Sequence, residues 1–493
     1  MSRLLSWIMG SGSPSRTAAT VRRVTASSFD IARTSEHNEK HWAYASMQNA
    51  IDAMSPDVRR TAAIRARYEL RNNSWLAGIV RTKANDAIGV GPRLQLTTDD
   101  RELNQRLERA WAAWSRSIRL ALKLRSAMIA KMVDGEVFGT PVTNAAVRGP
   151  ILLDLRLIHS TRVTSGYSGK LREREVDGIV YDEDWNPVEY LVEDLTPSTT
   201  SGAARVRPVN AKRMLHWFRP ESVEQIRGIS ELAPSLGLFA ELRRFREATL
   251  AAAETAANYA GVLQTDQPPN QDPESYDAFD AVELEARSLI TLPAGWEMKQ
   301  LDAKYPAVGY REYVEVLINE AARSALTPFN VAVGNSSSYN YASGRLDFQT
   351  YYRELGIERD DCETAILDPL LAEFIREAAG DQTLRLPPSM RDAIAVPHSW
   401  RWPGLTHADP VKEAQAARIR LESRLTTLSR EYAAEGLDWI EEIAQTEAEE
   451  QELAKRGLTR FAAAQPYQQQ TPSQDGEDGD TPSKDTKETS DAA

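Results

Sequence analysis

Apolar residues recur every three or four positions through much of the N-terminal third of this sequence, which predicts a series of amphipathic helices. The pattern predicts helical segments at residues 49–72, 75–88, 103–114 and 122–133, with Pro56 at a helix start. In the second helix, the residues at this spacing form one buried stripe: Leu76, Ile79, Val80, Lys83, Ala84 and Ala87.

The period of the pattern changes to two between residues 135 and 218, which predicts short antiparallel strands. Apolar runs at 151–158 and 178–181 are separated by turn residues such as Asn186-Pro187. A further strand is predicted at 93–97, directly after the second helix. The first part of the chain is therefore predicted to be α+β.

A long helix is predicted from Pro234 to residue 261, because no further proline interrupts it. About 28 residues at about 1.5 Å each make a rod of about 42 Å. Alanine dominates its second half, which favours close packing between copies, although alanine is also the best helix former. After an insertion at 262–302, a helix at 309–325 is predicted to have one stripe made of Tyr313, Val316, Leu317, Glu320 and Ala321.

Residues 327–345 are predicted to form a loop of small polar residues and two tyrosines between two amphipathic helices. This loop has no recognisable nucleophile–base pair, so it resembles a channel lining more than an active site. The candidate channel-facing residues are Asn335, Ser336, Ser337, Ser338, Tyr339, Asn340 and Tyr341. The alternative is that the tyrosines pack against neighbouring elements and the serines only make a turn.

The next predicted helix runs from Leu346 into Glu377, with a kink expected at Pro369. Its predicted buried side comprises Leu355, Ile357, Ile366, Leu367, Leu370, Leu371 and Phe374. A strand at 400–403 follows, then a helix that Asp409 is expected to cap, and further helices to residue 457. Beyond residue 464 almost nothing is apolar, which predicts disorder.

Composition limits the function classes. The formal net charge of -12 argues against a basic DNA-binding domain, and it fits equally an acidic channel wall and ordinary solubility. The single cysteine, Cys362, excludes an intramolecular disulfide. No run of 18 apolar residues occurs, so we expect a soluble protein that is not exported and has no membrane partner.

Enzyme signatures are missing from the sequence. The six histidines, which include His37 and His41, form no zinc-binding pair, and no Walker loop or Gly-x-Ser-x-Gly elbow occurs. The acidic run 441–452 is typical of a solvated helix face. We therefore expect no enzyme activity, cofactor or metal. The alternative is a soluble hydrolase or nuclease that uses an unrecognised carboxylate site with Mg²⁺.

Several segments together resemble the lambda family of bacteriophage portal proteins. They are Ser74-Trp75, His216-Trp217-Phe218, the segments 225–229 and 338–345, Pro403, the segment 409–413, Leu425-Thr426-Thr427 and the segment 435–439. This resemblance implies a homo-oligomeric ring, typically a dodecamer, at one capsid vertex. Double-stranded DNA would enter the capsid through the ring during packaging and leave through it at ejection, without sequence specificity.

The resemblance also implies a regional plan. It comprises the wing (36–226), stem helix (227–261), clip (262–302), second stem helix (303–326), tunnel loop (327–345), wing helix and return strand (346–407) and crown helices (408–464). Composition predicts a flexible N-terminal arm (1–35) before these regions and a disordered acidic tail (465–493) after them. The implied partners are the terminase large subunit, head-tail connector proteins, and the major capsid and scaffolding proteins. The implied location is the portal vertex of the virion, with assembly in the host cytoplasm.

Overall fold

The structure, a computed structural model, describes residues 40, 48–165, 174–194, 206–258, 262–265, 296–299, 309–337, 341–387, 390, 396–404 and 410–458. For 255–258, 262–265, 296–299 and 341–342 it describes the backbone alone. The predicted N-terminal arm, most of the predicted clip and the predicted tail lie outside these residues, as do Asp409 and the pair His37 and His41.

The chain alternates helical and sheet regions. The helices are α1 (Ala50–Ala53), α2 (Pro56–Asn72), α3 (Ser74–Ile88), α4 (Arg101–Ser117), α5 (Leu120–Asp134), α6 (Leu236–Asn258), α7 (Tyr310–Ser324), α8 (Phe329–Val333), α9 (Tyr341–Cys362), α10 (Asp368–Ala378), α11 (described at Met390 alone), α12 (Pro410–Glu422), α13 (Leu428–Ala434) and α14 (Trp439–Lys455). The strands are β1 (Arg93–Leu96), β2 (Glu136–Thr143), β3 (Leu153–Ile158), β4 (Glu175–Val176), β5 (Ile179–Tyr181), β6 (Pro187–Glu193), β7 (Val206–Asn210), β8 (Leu215–Phe218), β9 (Val262–Thr265), β10 (Trp296–Lys299) and β11 (His398–Arg401).

Helix α3 forms as its sequence predicts. The Asn73 side chain accepts hydrogen bonds from the backbone N–H groups of Trp75 and Leu76, which satisfies two of the free donors at the helix start. Gly89 ends the helix with a φ of 55°, a conformation that disfavours other residues. The predicted stripe of α3 is buried in full, including the lysine.

Two antiparallel sheets follow α5, which confirms the predicted β-rich region. One has the strand order β3-β2-β8 and the other the order β4-β5-β6-β7. A small apolar cluster that includes Phe138, Ile158, Ile179 and Tyr190 contains side chains from both sheets. The larger core of the molecule contains α3, α4, α5, α9 and α10.

Strand β1 pairs in antiparallel orientation with β11, a strand far from it in the sequence. Leu94 lies opposite Trp400, and Leu96 lies opposite His398. The strand predicted at 400–403 thus begins two residues earlier and ends at Arg401. This pairing returns the C-terminal part of the chain to the N-terminal helices.

The predicted stem helices differ from expectation in where the first begins and in which residues of the second are buried. Residues Ala233–Ser235 form a 3-10 turn, so α6 begins at Leu236 instead of Pro234. It continues to Asn258, and residues 259–261 of the predicted helix lie outside the described residues. In α7 the buried residues are Leu317, Ile318, Ala321 and Ala322. Two residues of the predicted stripe, Tyr313 and Val316, are 44% and 64% exposed, although the Tyr313 ring lies 4.6 Å from the Phe245 ring of α6. The buried cluster with Leu242 of α6 contains Leu317 and Ile318 instead.

The long helix after the loop is interrupted ahead of its proline. A π-helical turn at Glu363–Leu367 joins α9 to α10. Pro369 has no N–H to donate to the carbonyl of residue 365, and a π turn is one way for a helix to accommodate such a defect. One predicted buried residue is wrong: Ile357 is 49% exposed, because Glu358 takes the buried position beside it.

The last three helices confirm the predicted helical character of the C-terminal region up to residue 457. None of α12, α13 and α14 has a buried residue within the part of the chain that is described. The acidic run 441–452 lies on α14, where its glutamates are exposed as predicted, except for the half-buried Glu442. Among the described helices, none has both the length and the apolar character that a membrane span requires.

Candidate channel-lining loop and its anchors

The chain leaves α7 through a tight C-terminal motif. The N–H of Thr327 donates to the carbonyl of Ala322 at 3.2 Å, and the N–H of Leu326 donates to the carbonyl of Arg323 at 3.1 Å. These two bonds define a Schellman motif, with Leu326 in the left-handed conformation at a φ of 52°. Thr327 is 4% exposed, so the start of the predicted loop is buried.

A short helix, α8, occupies residues that were predicted to belong to the loop. The N–H of Asn335 donates to the carbonyl of Asn330 at 3.1 Å, and Gly334 lies between them at a φ of 64°. Glycine is favoured at this second Schellman turn because it has no Cβ to clash. The predicted loop 327–345 is therefore too long: its irregular part begins at Gly334, and α9 begins at Tyr341.

The tip of the loop is polar and uncharged. Asn335, Ser336 and Ser337 are exposed, and the Asn335 side chain accepts a hydrogen bond from the N–H of Ser337 at 2.9 Å. Ser338, Tyr339 and Asn340 lie outside the described residues. Tyr341 begins α9, and only its backbone is described. Three of the seven candidate residues are thus placed on an exposed turn.

Helix α9 is attached to α3 by hydrogen bonds beyond the loop. The Tyr351 hydroxyl donates to the Asp86 carboxylate at 3.0 Å. Burial, together with the nearby Asp86 charge, raises the pKa of Tyr351 above its ordinary value, so this group stays a donor. The Arg359 guanidinium donates to the carbonyl oxygens of Ala87 at 2.8 Å and Asp86 at 3.1 Å. These bonds position α9 along the C-terminal half of α3.

A buried cluster of charges lies at the centre of the helical core. Glu358 of α9 accepts a hydrogen bond at 2.7 Å from Lys131 of α5, and Arg219 lies 3.7 Å from its other carboxylate oxygen. Lys131 also donates to Glu231 at 2.6 Å. Burial alone would raise the pKa of Glu358, but the Lys131 charge and its neighbours lower it. Both partners therefore stay ionised.

Lys131 shows the converse effect. Burial alone would lower the pKa of Lys131, but the charges of Glu231 and Glu358 raise it above the ordinary value. The sequence analysis missed this cluster. A usable signal existed, because a lysine or glutamate at a position facing the core is rarely buried without a partner.

The segment 225–229, one of those that resemble the portal family, has a clear structural role. Arg227 donates to the Glu136 carboxylate at 2.6 Å, and the N–H of Gly228 donates to it at 3.0 Å. Burial alone would raise the pKa of Glu136, but Arg227 and His216 hold it well below its usual range. A Cβ on Gly228 would lie 2.0 Å from the carbonyl oxygen of Gly135, so only glycine fits.

Sites for small-molecule chemistry are not evident in the described part of the chain. No group of three or more potential metal-binding side chains occurs there. A cleft lined by Thr143, Arg213 and Glu373 has a volume of about 150 Å³, below the roughly 300 Å³ at which ligand sites typically start. Cys362 is fully buried at the end of α9, and burial raises the pKa of its thiol, so the thiol is protected from reaction.

The sequence profile of phage portal proteins of the lambda family matches residues 37–359, more than half of the chain. The chain belongs to the lambda family of phage portal proteins. The match to the portal family includes the charge cluster residues of α5 and α9, the segment 225–229 and the whole loop 334–340. The resembling segments from Pro403 onward lie beyond it.

Solved structures similar to this portal-family chain come from gene transfer agent particles. A chain of the virion of a native particle is 17% identical, with coverage of 77% of this chain and 94% of that chain and a TM-score of 0.44. A chain from the neck of the native particle, computed with C12 symmetry, is 15% identical, with coverages of 80% and 99% and a TM-score of 0.45. A chain from the neck of the empty particle, computed with C6 symmetry, is 15% identical, with coverages of 76% and 93% and a TM-score of 0.44.

Proposed function

We propose that copies of this portal-family chain close into a ring, typically of twelve, whose central channel passes double-stranded DNA during packaging and ejection. The loop 334–340 faces the channel. The observation that supports this role is an exposed, uncharged tip, Asn335 to Ser337, which follows a buried turn and precedes a long helix fixed to the core.

The chemistry of the tip suits a sliding contact. Amide and hydroxyl groups form hydrogen bonds to phosphate oxygens without reading base sequence. They also release no counterions, so the contact avoids the strong salt-dependent binding that lysine or arginine would give. The formal net charge of -12 fits the same purpose, because it opposes tight adhesion of DNA.

The remaining regions take the roles that the family implies. Residues 36–226 and 346–407 form the wing, 227–261 and 303–326 the stem, 262–302 the clip and 408–464 the crown. The clip begins and ends in the strand pair β9 and β10, in which Val262 lies opposite Lys299, and this pairing supports a closed projection between two stem helices.

The clip then binds the terminase large subunit during packaging and head-tail connector proteins afterwards. The wing and crown contact the major capsid and scaffolding proteins, first in the host cytoplasm and then at the portal vertex of the virion.

Electron microscopy of the purified full chain tests the ring. The expected result is a closed ring with an axial hole wide enough for duplex DNA and with the loop 334–340 at the wall of the hole. Particles that remain monomeric at micromolar concentration would refute the assembly. A ring with the loop on its outer rim would refute the role of the loop.

A packaging assay tests the loop. Deletion of residues 335–341 is expected to leave rings intact and to impair packaging or retention of the genome. Ser336→Lys is expected to slow DNA passage in a salt-dependent way, whereas Ser222→Lys, at another exposed serine, is the matched control. Normal packaging by the deletion variant, or equal effects of the two lysine variants, would show that the loop does not contact DNA.

A further inference from the structure

A single buried ammonium group contacts both elements that flank the loop. Lys83 of α3 is 0% exposed. Its Nζ donates to the carbonyl oxygen of Ala325 at 3.1 Å and to Glu354 at 3.2 Å, and it lies 3.3 Å from Glu358. Ala325 caps the C-terminal end of α7, which precedes the short helix α8 and the loop, and the two glutamates lie in the C-terminal half of α9, the helix that follows the loop.

We infer that Lys83 is a positioning residue that ties the C-terminal end of α7 to α9, and thereby fixes the helical base from which the loop 334–340 projects. The effect of Lys83 on contact between the loop and DNA rests on the proposed function. The positioning of the loop by Lys83 does not, because the Lys83 contacts are the same whatever the loop binds.

Lysine suits this position for three reasons. An ammonium group can donate to the Ala325 carbonyl and the Glu354 carboxylate at once, and its compact charge forms an ion pair with Glu358 at 3.3 Å. The Ala325 carbonyl lies at the C-terminal end of α7, where the helix dipole favours a positive charge. An arginine would present a larger planar group with a different geometry, so it is not an equivalent residue at this buried point.

A second donor reinforces the same carbonyl. The Thr327 hydroxyl donates to the Ala325 oxygen at 3.2 Å, and Thr327 is buried at the start of the turn into α8. The Ala325 carbonyl at the C-terminal end of α7 therefore accepts one hydrogen bond from Lys83 in the core and one from Thr327 in the segment that follows. Loss of either donor should loosen the loop without removing the residues at its tip.

Lys131 provides a matched control for general effects of burying a lysine. It is also 0% exposed and also contacts Glu358, but its other partner is Glu231, away from the loop. Both Lys83→Met and Lys131→Met remove a buried positive charge next to Glu358. Only Lys83→Met removes a bond to Ala325.

The experiment uses a nitroxide spin label at Ser336→Cys in the full chain. The native Cys362 is fully buried, so the label attaches to position 336 alone. We expect Lys83→Met to narrow the central line of the spectrum, which reports a more mobile tip, and Lys131→Met to leave it unchanged. Equal narrowing in both variants, or none in either, would overturn the inference.

Thr327→Val keeps the test decisive if Lys83→Met does not fold. The valine preserves the side-chain shape, and the charge cluster stays intact. Increased label mobility in this variant would support the two-donor arrangement, and unchanged mobility would overturn it. A packaging assay with the unlabelled variants distinguishes the positioning role of Lys83 from the channel role of the loop. Increased tip mobility together with normal packaging would contradict the channel role and would still support the positioning role.

Discussion

The ion pairs of the helical core and those of the last three helices have nearly the same lengths and opposite surroundings. Lys131 and Glu358 lie 2.7 Å apart with both side chains 0% exposed. Arg418 and Glu422 of α12 lie 2.6 Å apart with side chains 71% and 61% exposed. The comparison teaches that distance alone does not measure what a pair contributes, because removal of one partner is costly only where water cannot replace it.

The two regions also differ in what determines their positions. The buried pairs join elements far apart in sequence, so they specify how α3, α5 and α9 meet. In α12, α13 and α14 the charges mostly pair within one helix or between neighbours, and no residue is buried within the described chain. These helices therefore gain little from the apolar core of a single copy.

The largest effect is expected from Glu136→Gln, which removes the fully buried counter-charge of Arg59 and Arg227 and leaves these two arginines to share Asp177. We expect a loss of about 3–5 kcal/mol in the free energy of unfolding, measured by urea denaturation. The control is Glu422→Gln on α12, where no resolvable change is expected. Similar losses in the two variants would remove the distinction between the core and the last helices.

A steric test of the same core is Gly228→Ala. The added Cβ would overlap the backbone of Gly135, so we expect a loss of about 1–3 kcal/mol in the free energy of unfolding. Gly237→Ala in α6 is the matched control, because its Cβ would meet no atom within 4 Å and alanine favours the helix. Equal stability of the two variants would contradict the close packing around Gly228.

A smaller effect is expected from pH. Burial lowers the pKa of His216 from 6.5, so below that pH the unfolded chain takes up a proton that the folded chain resists. The depressed pKa of Glu136 acts in the same direction below about pH 4.5, because its favourable charge is lost as it becomes protonated. The free energy of unfolding should therefore fall from neutral pH to about pH 5, and fall less in His216→Gln. An identical pH dependence in this variant would contradict the role of His216.

The smallest effect is expected from Arg420→Met. Arg420 bonds to Glu413 at 3.0 Å and to Glu431 at 2.9 Å, which joins α12 to α13, but its side chain is 39% exposed. Solvent screening limits the expected loss to about 0.5 kcal/mol in the free energy of unfolding. A loss as large as that of Glu136→Gln would show that exposure does not separate the two regions.

Local periodicity predicted most elements of the fold because helices and strands place every third or fourth, or every second, residue on one face. It failed at Ile357 and Glu358, where the apolar residue is exposed and the charged one is buried. It also misjudged α7, whose exposed Tyr313 and Val316 fit the same helical spacing as its buried residues. A period identifies a helix better than it identifies which face meets the core.

Some features of the loop 334–340 and its surroundings were predictable from the sequence and others were not. Its polar, uncharged composition and its place between two helices are readable from the residues themselves. The buried turn at Thr327 and the short helix α8 were missed, because five residues of helix are too few to show a period. The anchoring lysine was correctly placed on the buried stripe of α3, but its partners at Ala325 and Glu354 were not predictable from that stripe.

The order of helices and strands, the turns that end them and the absence of charge at the loop tip can be predicted from the residues, since these features depend on near neighbours in the chain. Which charged side chains are buried together depends on how distant segments meet in the folded chain. Lys131 and Glu358 are 227 residues apart, and Arg227 and Glu136 are 91 apart. No local pattern encodes such pairs, because the cost of burying each charge is offset only when the folded chain brings its partner to within hydrogen-bonding distance.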